Sequence, residues 1–292
     1  MHDHTVERSV ALQNDYLCLA AGRAVPLLRD LATDDPLVRR GIALLIAWDG
    51  QLDADSAAAA LFERWFRDHL RRRLFAGALA GRLPAGDVER AVDAILADDS
   101  VVRDARIDLE LLAAASASGE ARLDALLEGS MRDAMAELER RLGRDPSRWS
   151  WGALHRARFA HPLVAAGLVD ADALPLAREV PRGGGCDTVG NTAYGPLDLV
   201  QNVGATTRLV LDVGAWDEAL AMNAPGQSGD PRSAHYDALL AAWADDDAVP
   251  LLFSREAVEA AVERRIVLSP RAPSRADGAV SLTGSGGVAE PG

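Results

Sequence analysis

Lysine is absent from this sequence. The basic residues number 31, all arginine, against 44 acidic ones, which leaves a formal charge of −13. A field of that sign repels phosphate backbones and argues against general nucleic-acid binding unless the arginines segregate into one patch. Cysteine is scarce: Cys18 and Cys186 are the only two, too few for a disulfide framework or a Cys-rich metal site. Long apolar runs are missing as well. Nothing approaches the ~20 residues that span a bilayer, and Met1–Asn14 is polar and acidic, unlike a secretory leader. What is there is globular in composition: 292 residues, 49% hydrophobic and 26% charged, enough for one large domain or two ordinary ones.

The chain changes character near its midpoint. Residues 5–145 read as almost entirely helical. Leu61, Phe62, Trp65, Phe66, Leu70 and Phe75 recur at spacings near three and four, which places them on one side of a helix. Asp53, Asp55 and Ser56 precede that run as caps, and Arg71, Arg72 and Arg73 read as its solvated end, where cations suit the macrodipole. A second helix covers about 121–142, with Leu123, Leu127, Met131, Met135, Leu138 and Leu142 on its apolar face, and Asp145-Pro146 stops it.

Past Trp149 glycine becomes frequent and strands are expected. Thr207–Val213 has the apolar centre of a strand in a covered sheet. Ala219–Ala224 can pair with it across the turn at Gly214–Asp217, and Pro225–Pro231 must be a loop. Helices are expected at Tyr236–Trp243 and Ser254–Arg264, and a short strand at Ile266–Leu268. From about Arg271 the composition turns to Ala, Ser, Gly and Pro, and 271–292 reads as a disordered tail. The expected division is a helical region at 1–146, an α/β region at 147–270, and that tail.

Taken residue by residue, the local chemistry assembles no active site. Ser228 with Asp230 and His235 suggests a hydrolase triad, but the nucleophile elbow needs Gly-x-Ser-x-Gly on a strand-to-helix turn. Here the second glycine comes one position early, so a structural turn is the better reading. Gly183-Gly184-Gly185 precedes no helix and reads as a flexible turn, not a phosphate cradle. His155 and His161 lack the accompanying ligands of a zinc site. Cys186 would need a spatially adjacent His to form a thiolate pair, and Asp245-Asp246-Asp247 reads as a solvated charge run. No metal and no cofactor is called for.

A longer pattern is specific. Trp151-Gly152-Ala153-Leu154-His155, Phe159–Leu163, Gly183-Gly184 with Asp187-Thr188-Val189, Gly204-Ala205, Arg208–Asp212 and Trp216-Asp217 occur in order. With Asn223–Pro231, His235-Tyr236 and Pro250–Arg255, they resemble a run in the penicillin acylase (penicillin amidase) family. Leu12-Gln13-Asn14-Asp15 and Trp48-Asp49-Gly50 extend the resemblance into the helical half. The glycine loop departs from it: Gly185 stands for the family's first Asp, Cys186 for the next Gly and Gly190 for the Asn.

The resemblance implies an α+β chain, the C-terminal part of an αββα N-terminal-nucleophile hydrolase and of its large subunit. In such enzymes a Ser, Thr or Cys at the subunit's start uses its own α-amine, of pKa near 8, as the base. Met1-His2-Asp3-His4 offers no such residue, and Gly129-Ser130 and Gly284-Ser285 lack the Asn that follows the family's nucleophile. None of the principal catalytic residues is therefore expected at a position here. The partners implied are the acylase's small subunit and its nucleophile-bearing segment, with a small-molecule amide in the complete enzyme only, and neither nucleic acid nor membrane. Relatives are often periplasmic or secreted. The chain alone is expected to be inactive and to expose apolar sheet surface. The alternative is a non-catalytic remnant or interaction domain that binds the missing half or another chain.

Overall fold

The Leu61–Phe75 stripe builds the centre of the fold. In the computed structural model, which describes residues 4–170, 176–195 and 198–270, Leu61, Phe62, Trp65, Phe66 and Leu70 are fully buried. The helix that carries them starts at Ala57, where the Ser56 hydroxyl accepts from the Ala59 N–H. It widens into a π-helical turn over Trp65–Leu70 and continues as an α-helix over Arg71–Leu79. A π turn holds more residues than an α turn, so the positions after it are rotated relative to a plain 3.6-residue period. Arg67 and Arg71 are buried with Leu70. This corrects the expectation of a solvated Arg71–Arg73 end: Arg71 is enclosed, and only Arg72 and Arg73 reach solvent.

The Glu120–Leu142 helix lies against this axis with Leu123, Leu127, Met131, Met135 and Leu138 buried. It ends at Gly143, whose φ of 95° suits glycine, two residues before the expected Asp145-Pro146 stop. The Pro36–Ile46 helix contacts it at Gly41, where a Cβ would come 2.7 Å from the Met131 sulfur. Ala105–Ala117 closes the bundle through Leu112. The same core takes in Trp149, Trp151, Leu154, Tyr194 and Leu199.

Two small sheets follow. β1 (Arg156–Ala160) pairs antiparallel with β2 (Ala177–Pro181) and parallel with β3 (Val200–Gln201). In the second sheet, β4 (Thr207–Val210), β5 (Leu220–Asn223) and β6 (Val249–Pro250) run antiparallel in that order. The predicted hairpin is present in register Thr207↔Asn223 to Val210↔Leu220, although β4 stops at Val210 and not at Val213. Between the sheets a small core gathers Ala157, Met222, Ala224, Leu240 and Trp243. The second sheet has one covered side. Val210 and Met222 are buried, but Leu209, Leu211 and Val249 are 47%, 49% and 41% exposed. Because Leu209, Ala221 and Val249 are cross-strand neighbours, they share the open face.

The fold is thus α+β. The chain forms two compact units, Met1–Leu252 and Phe253–Gly292. In the second unit the helix spans Arg255–Ala260, capped by Ser254 on the Ala257 N–H, shorter than the predicted Ser254–Arg264. Ile266–Leu268 is exposed coil and not a strand, since three apolar residues without a pairing edge cannot satisfy their backbone as sheet. The helix expected at Tyr236–Trp243 forms only over Leu240–Ala244. The tail assigned to 271–292 lies outside the described residues. Among the described residues no helix is long and apolar enough to cross a membrane.

Candidate functional site

The glycine loop is the hinge of the site, and it is packed, which corrects its reading as a flexible turn. Gly184 donates its N–H to the Leu52 carbonyl at 2.7 Å, and its own carbonyl accepts from the Trp151 indole at 2.8 Å. The Tyr16 ring lies against this loop so closely that a Cβ on Gly183 or Gly190 would sit 2.7 Å from it. At Gly184 φ is +79°, a conformation that also favours glycine. Gly190, where the resembled pattern has Asn, is thus a position with no room for a side chain.

Above the loop the Tyr16 hydroxyl enters a polar cluster centred on Asp246. Tyr16 donates to Asp246 Oδ2 at 2.6 Å. Arg182 donates from Nη2 to the Tyr16 oxygen at 2.6 Å and to Asp246 Oδ1 at 3.0 Å, and from Nη1 to the carbonyls of Trp243 and Ala244. Arg208 reaches Asn14, Asp246 and the Trp243 carbonyl. The Arg182 guanidinium also stacks 4.4 Å from the Trp243 ring. Burial drives the Tyr16 phenol well above its ordinary range, so it stays a neutral donor. Asp246, expected as one of three solvated carboxylates, is instead the anion between buried Arg182 and partly buried Arg208. Its φ of 61° is a left-handed conformation that Asp tolerates better than most residues. A cleft of about 310 Å³ opens beside the cluster, lined by Arg182, Arg208, Gln201, Thr192, Leu209 and Trp243 among others.

A larger cleft of about 570 Å³ borders the π turn, lined by Arg64, Arg67, Arg71, Arg72 and Arg141 with Asp68, Asp93 and Asp198. Beneath it Glu63 is fully buried, accepts from the Tyr194 hydroxyl and has its carboxyl pushed up by burial. Arg67 pairs with Asp187 of the glycine loop, and Arg71 with Asp108. Arg64 and Arg141 share Glu137, and Arg72 meets Asp93 and Glu89. Each arginine has an acid, so the cleft is a lattice of compensated charges and not an anion trap. Asp68, His69 and Glu137 lie close enough to suggest a cation site. Although burial opposes it, hydrogen bonds from His69 and Arg64 with the Arg64 charge hold the Glu137 carboxyl down to about 2. Those oxygens already accept from guanidinium groups, so a cation would have to displace arginine.

The residues weighed from sequence as nucleophiles are not brought together. The Ser228 hydroxyl accepts from the Asp230 N–H, and the Asp230 carboxylate is taken by Arg232. No hydrogen bond joins the Ser228, Asp230 and His235 side chains. Ser130 is buried in its helix, accepting from the Trp65 indole at 2.9 Å and donating to the Leu127 carbonyl. Burial raises the Cys186 thiol, which lies 4.0 Å from the Tyr194 carbonyl. His161 caps the Pro162–Ala165 turn by accepting from the Leu163 N–H. Sequence reading missed Glu63, Arg67, Arg182 and Asp246 as a group because their partners lie far apart in the chain. The available signal was Asn14-Asp15, already part of the family resemblance and next to Tyr16.

His155 joins the loop to β3. It is completely buried, stacked on Trp151, with its ring nitrogens 2.6 Å from the Leu199 carbonyl and 3.1 Å from Thr192 Oγ1. Burial pushes its pKa down from the ordinary 6.5 to about 4. With the folded value below the unfolded one, the unfolded chain binds more protons between these limits. The stability from neutral His155 is therefore complete above pH 6.5 and lost as pH falls towards 4. Urea unfolding of the chain should lose about 3 kcal/mol across that window from this group. His155→Gln should flatten the slope there, and an unchanged slope would refute the assignment.

Comparison with known proteins adds a lineage to this geometry. The family described as penicillin amidase matches residues 1–260. A protein described as penicillin acylase 2 proenzyme, from a Pseudomonas species, is 33% identical over 241 residues, covering 76% of this chain and 28% of that protein. An acyl-homoserine lactone acylase QuiP from Pseudomonas putida is 30% identical over 266 residues, covering 82% and 31%. A solved thermostable penicillin G acylase from Alcaligenes faecalis superposes with a TM-score of 0.49 at 17% identity, covering 89% of this chain and 48% of that one.

Proposed function

This chain belongs to the penicillin amidase family, and on that premise we propose that it is the scaffold-forming C-terminal portion of an acylase that hydrolyses linear amides. The nucleophile is assigned to polypeptide outside this sequence. The observation that carries the reading is one of proportion. The family match runs over residues 1–260, yet the chain spans 28% to 31% of the length of the two curated relatives. The sheet supports it. Leu209-Val210-Leu211 is an apolar run of the kind found in strands covered on both faces, and only one face is covered here. An exposed apolar sheet face suits a second layer contributed by the rest of an αββα core.

In the complete enzyme the amino-terminal residue of the other segment supplies its hydroxyl or thiol as nucleophile and its α-amine as base. The nucleophile bonds to the amide carbonyl carbon, hydrogen-bond donors hold the oxyanion, and the C–N bond breaks as the amine leaves with a proton. Water then releases the acid. The acyl chain is of the kind carried by a β-lactam antibiotic or an acyl-homoserine lactone. The residues of this chain hold the sheet, the helical layer and the packed glycine loop in place.

The test is reconstitution. Offered a chromogenic acyl-anilide, the chain alone should release no aniline. If an adjacent reading frame encodes the nucleophile-bearing segment, the chain co-folded with it should turn over. Binding of an apolar dye to the isolated chain should fall when the complex forms, as Leu209, Leu211 and Val249 are covered. A stable complex without turnover would favour a non-catalytic interaction domain instead, and a burst from the chain alone would place the nucleophile within it.

A further inference from the structure

We infer that the outer edge of β4, with the cleft of about 310 Å³ beside it, receives an extended strand from the nucleophile-bearing polypeptide. This rests on the acylase reading above, in which that polypeptide lies outside the present sequence. It adds to the covered face a contact of another kind, backbone pairing along the edge of the sheet.

Hydrogen-bonded pairs alternate along an antiparallel ladder. The Ala224 N–H donates to the Thr206 carbonyl at 3.0 Å, so Arg208 and Val210 direct their backbone groups to β5. Thr207 and Leu209, one step out of phase, direct theirs away from it. The far side of β5 agrees. There the Leu251 N–H donates to the Ala219 carbonyl at 2.8 Å, which gives Ala221, the partner of Leu209, to β6. β4 is the outer strand of its sheet. Among the described residues one hydrogen bond reaches its outward groups, from the Gln13 side-chain amide to the Leu209 carbonyl at 2.7 Å. The N–H groups of Thr207 and Leu209 and the Thr207 carbonyl are open to pairing.

Exposed edges are normally blunted by lysine, proline, a bulge or brevity. β6, at the opposite edge, is two residues long and ends on Pro250, which has no N–H to offer. β4 has neither lysine nor proline, pairs without a bulge over four residues and leaves Leu209 half-exposed. Such an edge is the template for strand addition, in which main-chain bonds supply the affinity.

The cleft restricts what the edge can take. Ala205, Thr207 and Leu209 line it from the strand, and Val189–Thr192 line it from the glycine loop, which the Tyr16 ring packs in place. With strands about 4.8 Å apart and a rise of about 3.3 Å per residue, the space suits one extended chain over roughly two or three residues. A second copy would present the same edge screened by its own glycine loop. Each copy also carries a charge of −13, which opposes self-pairing. Among the described residues no acidic one lines the cleft, whereas Arg182 and Arg208 do, so an apolar or acidic strand is favoured over a basic one. Leu209 belongs both to this edge and to the open face, so one partner covers the two together.

The experiment is amide hydrogen exchange followed by NMR, first on the chain alone and then on its complex with the nucleophile-bearing segment used for reconstitution. Alone, the Arg208 and Val210 amides should exchange slowly and those of Thr207 and Leu209 fast. In the complex Thr207 and Leu209 should slow by at least about tenfold. Leu209→Pro removes an outward N–H and spares the ladder to β5, so it should weaken association at least about tenfold more than Leu209→Ala, which removes only the side chain. Thr207→Pro repeats the test at the other outward position, and protection at Arg208 and Val210 shows that the hairpin of each variant is formed. Failure to form any complex would overturn the acylase reading and the strand with it. A complex that covers the dye-binding face while Thr207 and Leu209 still exchange fast would overturn the strand alone, as would equal binding by Leu209→Pro and Leu209→Ala. Protection of both amides in the isolated chain, as monomer or dimer, would give the edge to this chain itself and overturn the assignment.

Discussion

Arg71→Met will destabilise the chain by about 3–5 kcal/mol, the cost of stranding one member of a buried ion pair. Arg71 and Asp108 have side chains 1% exposed each, with Arg71 Nε 2.8 Å from Asp108 Oδ1 and Nη2 on Oδ2. Burial already pushes the Asp108 carboxyl up, and its bonds to Arg71 counter the rise. Without the guanidinium, Asp108 must take up a proton or draw in water. The pair spans two helices, Arg71–Leu79 and Ala105–Ala117, so the loss should loosen that packing first. The double variant Arg71→Met/Asp108→Leu separates the two meanings of the number. If the pair fixes geometry more than it stabilises, the double variant will recover most of the loss, because well-packed apolar replacements often equal a buried pair. Urea unfolding of the three proteins decides it, and a single variant within 1 kcal/mol of the parent would mean that water reaches Asp108.

Trp65→Ala should cost a similar amount, about 3–5 kcal/mol. The indole is fully buried between Phe62 and Phe66, with ring centroids 6.1 Å and 6.4 Å away, and it donates to the buried Ser130 hydroxyl at 2.9 Å. Truncation opens a cavity at the π turn and deprives Ser130 of its donor. Trp65→Phe keeps much of the volume and should cost roughly 1–2 kcal/mol, most of it from the lost donor. Thermal unfolding of both variants, with Ser130→Ala as background, partitions cavity from hydrogen bond. If Trp65→Ala and Trp65→Phe cost the same, the packing argument fails.

The elements legible in the sequence were those set by local periodicity. The Leu61–Phe75 stripe, the Glu120–Leu142 face and the hairpin of β4 with β5 each announce themselves within a window of at most 23 residues. Arg71 did not, because one π turn shifts the period and no propensity marks it. Asp246 looked like a member of an acidic run because its cations, Arg182 and Arg208, are 64 and 38 residues away. The helix at Tyr236–Trp243 shrank for a related reason. The Tyr236 hydroxyl is committed to the Leu176 carbonyl, and its backbone turns against Gly226, so tertiary contacts override the helical pattern. Ser228 and His235 were close in sequence, yet that closeness produced a backbone turn and not a reactive pair, since geometry and not proximity sets such roles.

The clasp on Asp246 bears on how the molecule comes into being. Tyr16 is synthesised well before its partner: the carboxylate it must meet lies 230 residues later. At about 5–20 residues per second of synthesis that interval is on the order of tens of seconds. Until Asp246 emerges, the glycine loop can seat the tyrosine ring but this carboxylate cannot lock its hydroxyl. The segment around Tyr16 therefore waits half-anchored during synthesis, and truncation just before Asp246 would leave two arginines facing each other without their anion.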